Sequence, residues 1–157
     1  MGITVEERLG ERLRSTGGTV GTAESCSGGL IAHRITNVAG SSAYFAGGAV
    51  TYSNAMKTAI LGVDEGILNE NGAVSEPVGR AMAEGVRRRF GVDYAVACTG
   101  IAGPGGGTEE KPVGLVYIAV AAPNETRGER CQFDGDRESV KQQTAEFALN
   151  LLVESIE

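Results

Sequence analysis

Histidine and cysteine are scarce in this sequence, and their scarcity excludes several kinds of site. His33 is the only histidine, and it falls on a predicted helix, so we do not expect a Ser-His-Asp triad. Cys26, Cys98 and Cys131 lack the close spacing of zinc ligands, and three cysteines cannot all pair. Free thiols are typical of the reducing cytosol. The sequence therefore predicts a cytoplasmic protein without a zinc site, and we also expect no cofactor.

Positive charge and long apolar runs are also lacking. The formal net charge is -6, and the one basic cluster, Arg87-Arg88-Arg89, ends a predicted helix, where it complements the helix dipole. The chain has neither a signal-peptide pattern nor an apolar run of the roughly 18 residues that a membrane helix needs. These features argue against partners such as nucleic acid or a membrane.

Glycine, by contrast, is abundant, with 24 of the 157 residues. The glycines cluster in short loops, which indicates tight turns and close approach of the backbone to a ligand. The length and the 41% hydrophobic content fit a single globular domain over residues 1–157. We find no linker and no internal repeat.

Local patterns predict the element order α-β-α-β-α-α-α-β-β-β-α. Thr4 and Glu7 form a capping box that opens the first helix. Continuous small or apolar runs predict buried strands at residues 47–52 and 94–99. Ser75 is expected to cap the longest central helix. This order predicts an α/β fold, a three-layer α/β/α sandwich around a mixed sheet of about five strands.

A first candidate binding site is the turn between the first strand and the second helix. Ser25, Ser27, Gly28 and Gly29 place hydroxyls and glycines at a helix start, where backbone N–H groups can bind a phosphate or carboxylate. The alternative is an ordinary helix cap with glycines for close packing. Cys26 in this turn is expected to be a buried, inert thiol, because no His or Asn constellation is available to activate it.

A second candidate is the glycine-rich loop over residues 100–108. It follows a buried strand, and open α/β sheets bind ligands at the carboxyl ends of strands. Gly100, Gly103 and Gly105 are its candidate binding residues, although a mobile surface loop would have the same composition. Arg137, at the start of the last helix, is a candidate anion clamp or simply an exposed arginine.

Lysine can replace histidine as a base when burial lowers its pKa. Lys57 is the best placed of the three lysines, because it follows a strand end by one helical turn. Lys111 follows two glutamates, and Lys141 on the last helix is expected to be solvated. We expect Lys57 to meet Ser42 as the chain folds back on itself; the alternative is a surface lysine on a short helix.

Six motifs, in this order and covering nearly the whole chain, resemble the CinA C-terminal-domain family. They are residues 23–29 (AESCSGG), 40–42 (GSS), 50–54 (VTYSN) with Lys57, 72–75 (GAVS), 99–106 (TGIAGPGG) and 109–114 (EEKPVG). The family implies a nicotinamide-nucleotide amidohydrolase, which hydrolyses the carboxamide of nicotinamide mononucleotide (NMN) to nicotinic acid mononucleotide and ammonia. It implies a serine-lysine dyad and no metal.

Carried over by position, the resemblance assigns the nucleophile to Ser42 and the base to Lys57. Tyr52 and Thr99 match the family's other essential hydroxyls, which would orient the dyad or relay protons. The family usually has Thr at position 27 and Glu at position 55, where this chain has Ser27 and Ala55. In some relatives this module follows a molybdopterin-binding-like domain. The pyrophosphatase activity associated with that other domain is not expected of this chain.

Two other functions stay open. One is a CinA-like nucleotide-binding or regulatory module without turnover, and the other is hydrolysis of a different small amide by the same dyad. The resemblance also implies a homo-oligomer.

Overall fold

The computed structural model describes residues 2–156. Among these residues, none of the helices is both long and apolar enough to cross a bilayer. The helices and strands have the following bounds: α1 Val5–Thr16, β1 Val20–Glu24, α2 Leu30–Thr36, a 3-10 turn Ser41–Ala43, β2 Phe45–Val50, α3 Asn54–Leu61, α4 Glu65–Asn71, α5 Glu76–Phe90, β3 Tyr94–Gly100, β4 Leu115–Ala121, β5 Thr126–Gln132 and α6 Arg137–Ser155.

The strands form one mixed sheet of five strands in the order β2-β1-β3-β4-β5. β1 pairs in parallel with both β2 and β3, whereas β4 is antiparallel to β3 and to β5. Helices α1, α2 and α6 pack together on one face, and α5 covers the other face with α3 and α4. This arrangement confirms the predicted α/β fold with a mixed five-stranded sheet.

The alternating side chains of β3 divide the core into two clusters. Val96 and Cys98 belong to the cluster beneath α1, α2 and α6, whereas Ala95 and Ala97 belong to the cluster beneath α5. Both faces of a strand that is covered on two sides are apolar, which is why this stretch reads as a continuous apolar run.

The first helix forms as its sequence predicts. Thr4 Oγ1 accepts a hydrogen bond from Glu7 N (3.2 Å), and Glu7 Oε2 accepts one from Thr4 N (2.7 Å). Leu9 and Leu13 are buried one turn apart, and the helix ends at Gly17 in the left-handed region, with φ of 74°. A residue without a Cβ adopts that conformation at little cost.

Two local predictions are wrong. The second strand runs from Phe45 to Val50 instead of from residue 47 to 52, and none of its residues is buried. It is an edge strand of the sheet, and its pairing with β1 ends at Glu24 and Val50. Ser75 precedes α5, but its hydroxyl donates to the carbonyl of Gly72 (2.8 Å) and makes no capping bond to the helix.

Candidate active site

The carboxyl ends of the three parallel strands meet at one edge of the sheet, and the candidate site is built there. Ser25 follows β1, Thr51 follows β2, and Thr99 lies near the end of β3. Thr51 N donates to Glu24 O (2.8 Å), which continues the β1–β2 pairing one step beyond the strands. The sheet register therefore brings together residues that are far apart in sequence.

Lys57 is buried at this edge with its ammonium group against Ser25. Helix α3 begins at Asn54, after Ser53 caps it by accepting from Met56 N (3.2 Å), so Lys57 points back toward the strand ends from the first turn. The side chain is 1% exposed. Its Nζ lies 3.1 Å from the Oγ of Ser25, 2.8 Å from the carbonyl oxygen of Thr51 and 3.5 Å from that of Tyr52.

Burial lowers the pKa of Lys57 below its ordinary value, and the nearby Cys98 and Cys26 thiols partly oppose that change. Among residues 2–156, Lys57 forms no ion pair with a carboxylate that would hold its proton. Its oxygen partners are one hydroxyl and two carbonyls. The amine is therefore closer to losing its proton at neutral pH than an exposed lysine is.

The predicted contact between Ser42 and Lys57 is wrong. Ser42 is exposed in the turn that precedes β2, whereas Lys57 follows β2, and a strand of six residues spans roughly 20 Å. The two side chains thus lie toward opposite ends of the sheet. Ser25, which we predicted only as a binding residue, takes the position beside Lys57. Its place directly after the first predicted strand was the signal for this.

Tyr52 and Arg137 lie together at the rim. The Tyr52 side chain is 61% exposed, and its hydroxyl accepts a hydrogen bond from Arg137 Nη2 (2.8 Å). Arg137 Nη1 donates to the carbonyl of Gly103 (2.7 Å). Tyr52 approaches Lys57 only through its carbonyl oxygen. Arg137 is thus more than an exposed helix-start arginine, because it joins α6 to both walls of the site.

Thr99 is buried and already has a partner for its hydroxyl proton. Its Oγ1 donates to the carbonyl of Ala73 (2.8 Å), in the connection between α4 and α5. In this arrangement Thr99 holds that connection against the end of β3.

A cavity of about 180 Å³ opens beside the Ser25–Lys57 pair. Gly100, one of the candidate binding residues, lines it, whereas Gly105 lies in the open part of the glycine-rich loop, with no atom within 4 Å of where a Cβ would be. The lining residues are Ser25, Cys26, Tyr52, Asn54, Lys57, Ala73, Val74, Thr99, Gly100 and Ala102. Since a site for a drug-sized ligand usually measures about 300–1,000 Å³, this cavity accommodates only part of a nucleotide.

The buried carboxylate of Glu24 organises the turn after β1. Its Oε1 accepts hydrogen bonds from the Ser27 hydroxyl (2.5 Å) and from Ile31 N (2.9 Å), and Oε2 accepts from Ala32 N (3.0 Å). Ser27 is itself buried. Its hydroxyl therefore faces Glu24, and the predicted role of Ser27 as a direct ligand contact is not supported by this geometry.

The glycines of the same turn face outward. Gly28 and Gly29 have φ of 62° and 103°, a region that L side chains rarely adopt. A Cβ added at Gly28 would lie 3.6 Å from the Nζ of Lys141, so the ammonium group of α6 stands over this turn. Lys141 was expected to be solvated, because its position in the sequence does not show that the fold brings the last helix to the turn after the first strand.

Cys26 is buried, as we predicted, and its surroundings favour a poorly reactive thiol. Its hydrogen bond with Cys98 and its burial raise the pKa of Cys26 well above the ordinary value. Cys98 is also buried, and its sulfur lies 3.0 Å from the Ser27 hydroxyl. A thiol with a raised pKa forms little thiolate at neutral pH and is a poor nucleophile.

Comparisons with known proteins agree on the family. The CinA C-terminal domain family matches residues 3–156. CinA-like proteins from Geobacter sp. (strain M21) and Syntrophobacter fumaroxidans are 55% and 53% identical over 94% of this chain. The chain spans only about 36% of the length of the Geobacter protein.

Solved structures agree over the whole fold. The competence/damage inducible protein CihA from Agrobacterium tumefaciens is 41% identical, with a TM-score of 0.92 and 100% of both chains covered. A competence or damage-inducible protein from Enterobacter asburiae is 30% identical, with a TM-score of 0.94, covering 99% of this chain and 100% of that one. The chain belongs to the CinA C-terminal domain family.

Proposed function

We propose that this protein hydrolyses a carboxamide, with Ser25 as the nucleophile and Lys57 as the base. The observation that carries the proposal is the 3.1 Å contact between Lys57 Nζ and Ser25 Oγ, in a buried setting that opens to a cavity. A hydroxyl becomes an effective nucleophile only when an adjacent base accepts its proton, and a desolvated lysine is such a base.

The reaction runs in two stages. Neutral Lys57 accepts the Ser25 proton as Oγ attacks the carbonyl carbon, and protonated Lys57 then donates a proton to the departing ammonia. The resulting acyl-enzyme reacts with water, whose proton Lys57 accepts. Collapse of that second tetrahedral intermediate returns the proton to Ser25 and releases the carboxylic acid.

The substrate that fits best is NMN, giving nicotinic acid mononucleotide and ammonia. Family membership supports this choice, because the motifs at the site resemble those of nicotinamide-nucleotide amidohydrolases. The cavity volume of about 180 Å³ suits the pyridine carboxamide end of the molecule. The ribose and phosphate would then extend past the rim formed by Tyr52 and Arg137.

Two serine variants test the assignment. Ser25→Ala is expected to lower the rate of ammonia release from NMN by at least about 1,000-fold, because the nucleophile is lost. Ser42→Ala, an identical change at an exposed position far from Lys57, is expected to keep wild-type activity. Full activity in Ser25→Ala, or a large loss in Ser42→Ala, would overturn the dyad proposed here.

A nucleotide-binding or regulatory module is the second candidate, and the competence/damage-inducible names of the solved relatives favour it. Purified protein incubated with NMN separates the candidates. Saturable binding by calorimetry without formation of nicotinic acid mononucleotide would indicate the module. Turnover of other amides but not of NMN would indicate a different amidohydrolase.

A further inference from the structure

We propose that Lys141, together with Arg137, binds the phosphate of the substrate, and that Lys141 thereby determines preference for a nucleotide over the corresponding nucleoside. This inference rests on the proposed function and deepens it. It concerns a lysine that sequence reasoning left in solvent.

The position of Lys141 carries the argument. Lys141 is half-buried on α6, one helical turn after Arg137, so both cations project from the same face of the helix. Its Nζ stands over Gly28, at 3.6 Å from the place of an added Cβ. The turn that begins with Ser25 in the cavity therefore ends beneath this ammonium group.

Lys141 also lacks a partner within the described part of the chain. Among residues 2–156, its ammonium group forms no hydrogen bond and no ion pair. Lys57 and Lys111, in contrast, each donate to backbone carbonyls. A partly desolvated ammonium without a protein acceptor is well suited to an external anion, because three donors are available to it.

The size of the cavity indicates where that anion lies. A cavity of about 180 Å³ holds the reacting end of a nucleotide, so the phosphate must lie outside it. Arg137 borders the exit, because it bonds to the Tyr52 hydroxyl and to the Gly103 carbonyl. A phosphate monoester carries about -1.5 to -2 charges at pH 7, and adjacent Arg and Lys side chains are its usual protein ligands.

The test compares two substrates that differ only in the phosphate, NMN and nicotinamide riboside. For Lys141→Met, the ratio of kcat/KM for NMN to kcat/KM for the riboside is expected to fall about 10- to 100-fold, mainly through KM, because a charge-assisted contact is lost. Lys141→Arg is expected to restore most of that ratio. If Lys141→Met reduces kcat/KM equally for both substrates, the inference is overturned.

Arg88→Met is the matched control. Arg88 is exposed near the end of α5, has no hydrogen bond or ion pair among residues 2–156, and carries the same charge. Arg88→Met lowers the net charge of the protein by the same amount as Lys141→Met does. It is expected to leave the ratio of kcat/KM for NMN to kcat/KM for the riboside unchanged. An equal fall of the ratio in Arg88→Met would assign the effect to the overall field and would overturn the inference.

Binding gives a readout that does not depend on turnover. Calorimetric titration with nicotinic acid mononucleotide is expected to show about 10- to 100-fold weaker binding to Lys141→Met than to the wild type. If the wild type hydrolyses no NMN but shows this difference, the proposed function fails and the phosphate site stands. Equal affinity of the wild type and Lys141→Met would overturn the phosphate site even in an active enzyme.

Discussion

A single buried amine, that of Lys57, gives the candidate site its chemical character. Its Nζ is surrounded by one hydroxyl and two carbonyl oxygens, and no carboxylate pairs with it among residues 2–156. Carbonyl acceptors stabilise an ammonium group less than an ion pair does, so desolvation dominates and the pKa of Lys57 falls. This depressed pKa has consequences for both activity and stability.

The activity should rise with pH as Lys57 loses its proton. Only the neutral amine accepts the Ser25 proton, so kcat/KM for NMN is expected to increase through an ionisation below the ordinary lysine value of 10.5. Lys57→Met should remove this ionisation and lower kcat/KM by about 100- to 10,000-fold at neutral pH. A rate independent of pH between 6 and 10 would contradict the role of Lys57 as base.

The stability of the fold should respond to the same group. The unfolded chain keeps the Lys57 proton to higher pH than the folded chain does, so unfolding takes up a proton between the two pKa values. The contribution of Lys57 to the free energy of unfolding therefore rises with pH in that interval.

Lys57→Met lacks this contribution, so the stability of the wild type relative to the variant should rise as pH increases toward 10. Urea unfolding of both proteins at several pH values measures the difference. A constant difference would show that the pKa of Lys57 is the same in the folded and unfolded chains.

Among the elements, α3 and α5 must approach closely for Lys57 to reach the sheet. Gly85 of α5 lies against the last residue of α3, and a Cβ at Gly85 would overlap the carbonyl oxygen of Leu61. A helix-interior glycine usually costs stability, so its presence here reflects the contact between the two helices.

Gly85→Ala should therefore destabilise the protein by about 1–3 kcal/mol, because overpacking outweighs the gain in helix propensity. It should also lower activity, since α3 carries Lys57. Gly105→Ala, at a position with open space around it, is the control and is expected to change stability by less than about 1 kcal/mol. Unchanged unfolding of Gly85→Ala would show that α3 can shift freely.

Element order was predictable from sequence, whereas the pairing of strands was not. The capping box of α1 and the apolar run of β3 are local signals, and the structure confirms them. Which serine hydroxyl lies beside Lys57 depends on which strand ends share an edge of the sheet. Ser42 is nearer to Lys57 in sequence, but parallel pairing brings Ser25 to Lys57 instead.

At the scale of the whole molecule, the expected homo-oligomer stays a prediction with a specific candidate surface. β2 is an edge strand, and it ends at Val50, which is 52% exposed. Met56 and Ile60 on α3, the next helix along the chain, are each 43% exposed and lie one helical turn apart. Exposed apolar side chains and an unpaired strand edge are both typical of surfaces that bind another chain.

Sedimentation velocity is therefore expected to show a dimer or larger species for the wild type. Ile60→Glu should shift it toward monomer, because a charge in an apolar interface is costly. Ile3→Glu, which changes an exposed isoleucine at the start of the chain, should leave the assembly intact. A monomeric wild type would contradict the expectation.

The carboxylate of Glu24 has a consequence for how the protein meets its ligand. Because three donors fix this carboxylate, the backbone on either side of Ser25 is held in its working shape by the protein alone. The site is preorganised, because the backbone around Ser25 is ordered during folding and not when the ligand binds. The free energy of ordering this segment therefore does not reduce the affinity for the ligand. Crystals soaked with nicotinic acid mononucleotide should accordingly show this segment superimposing on the unliganded chain.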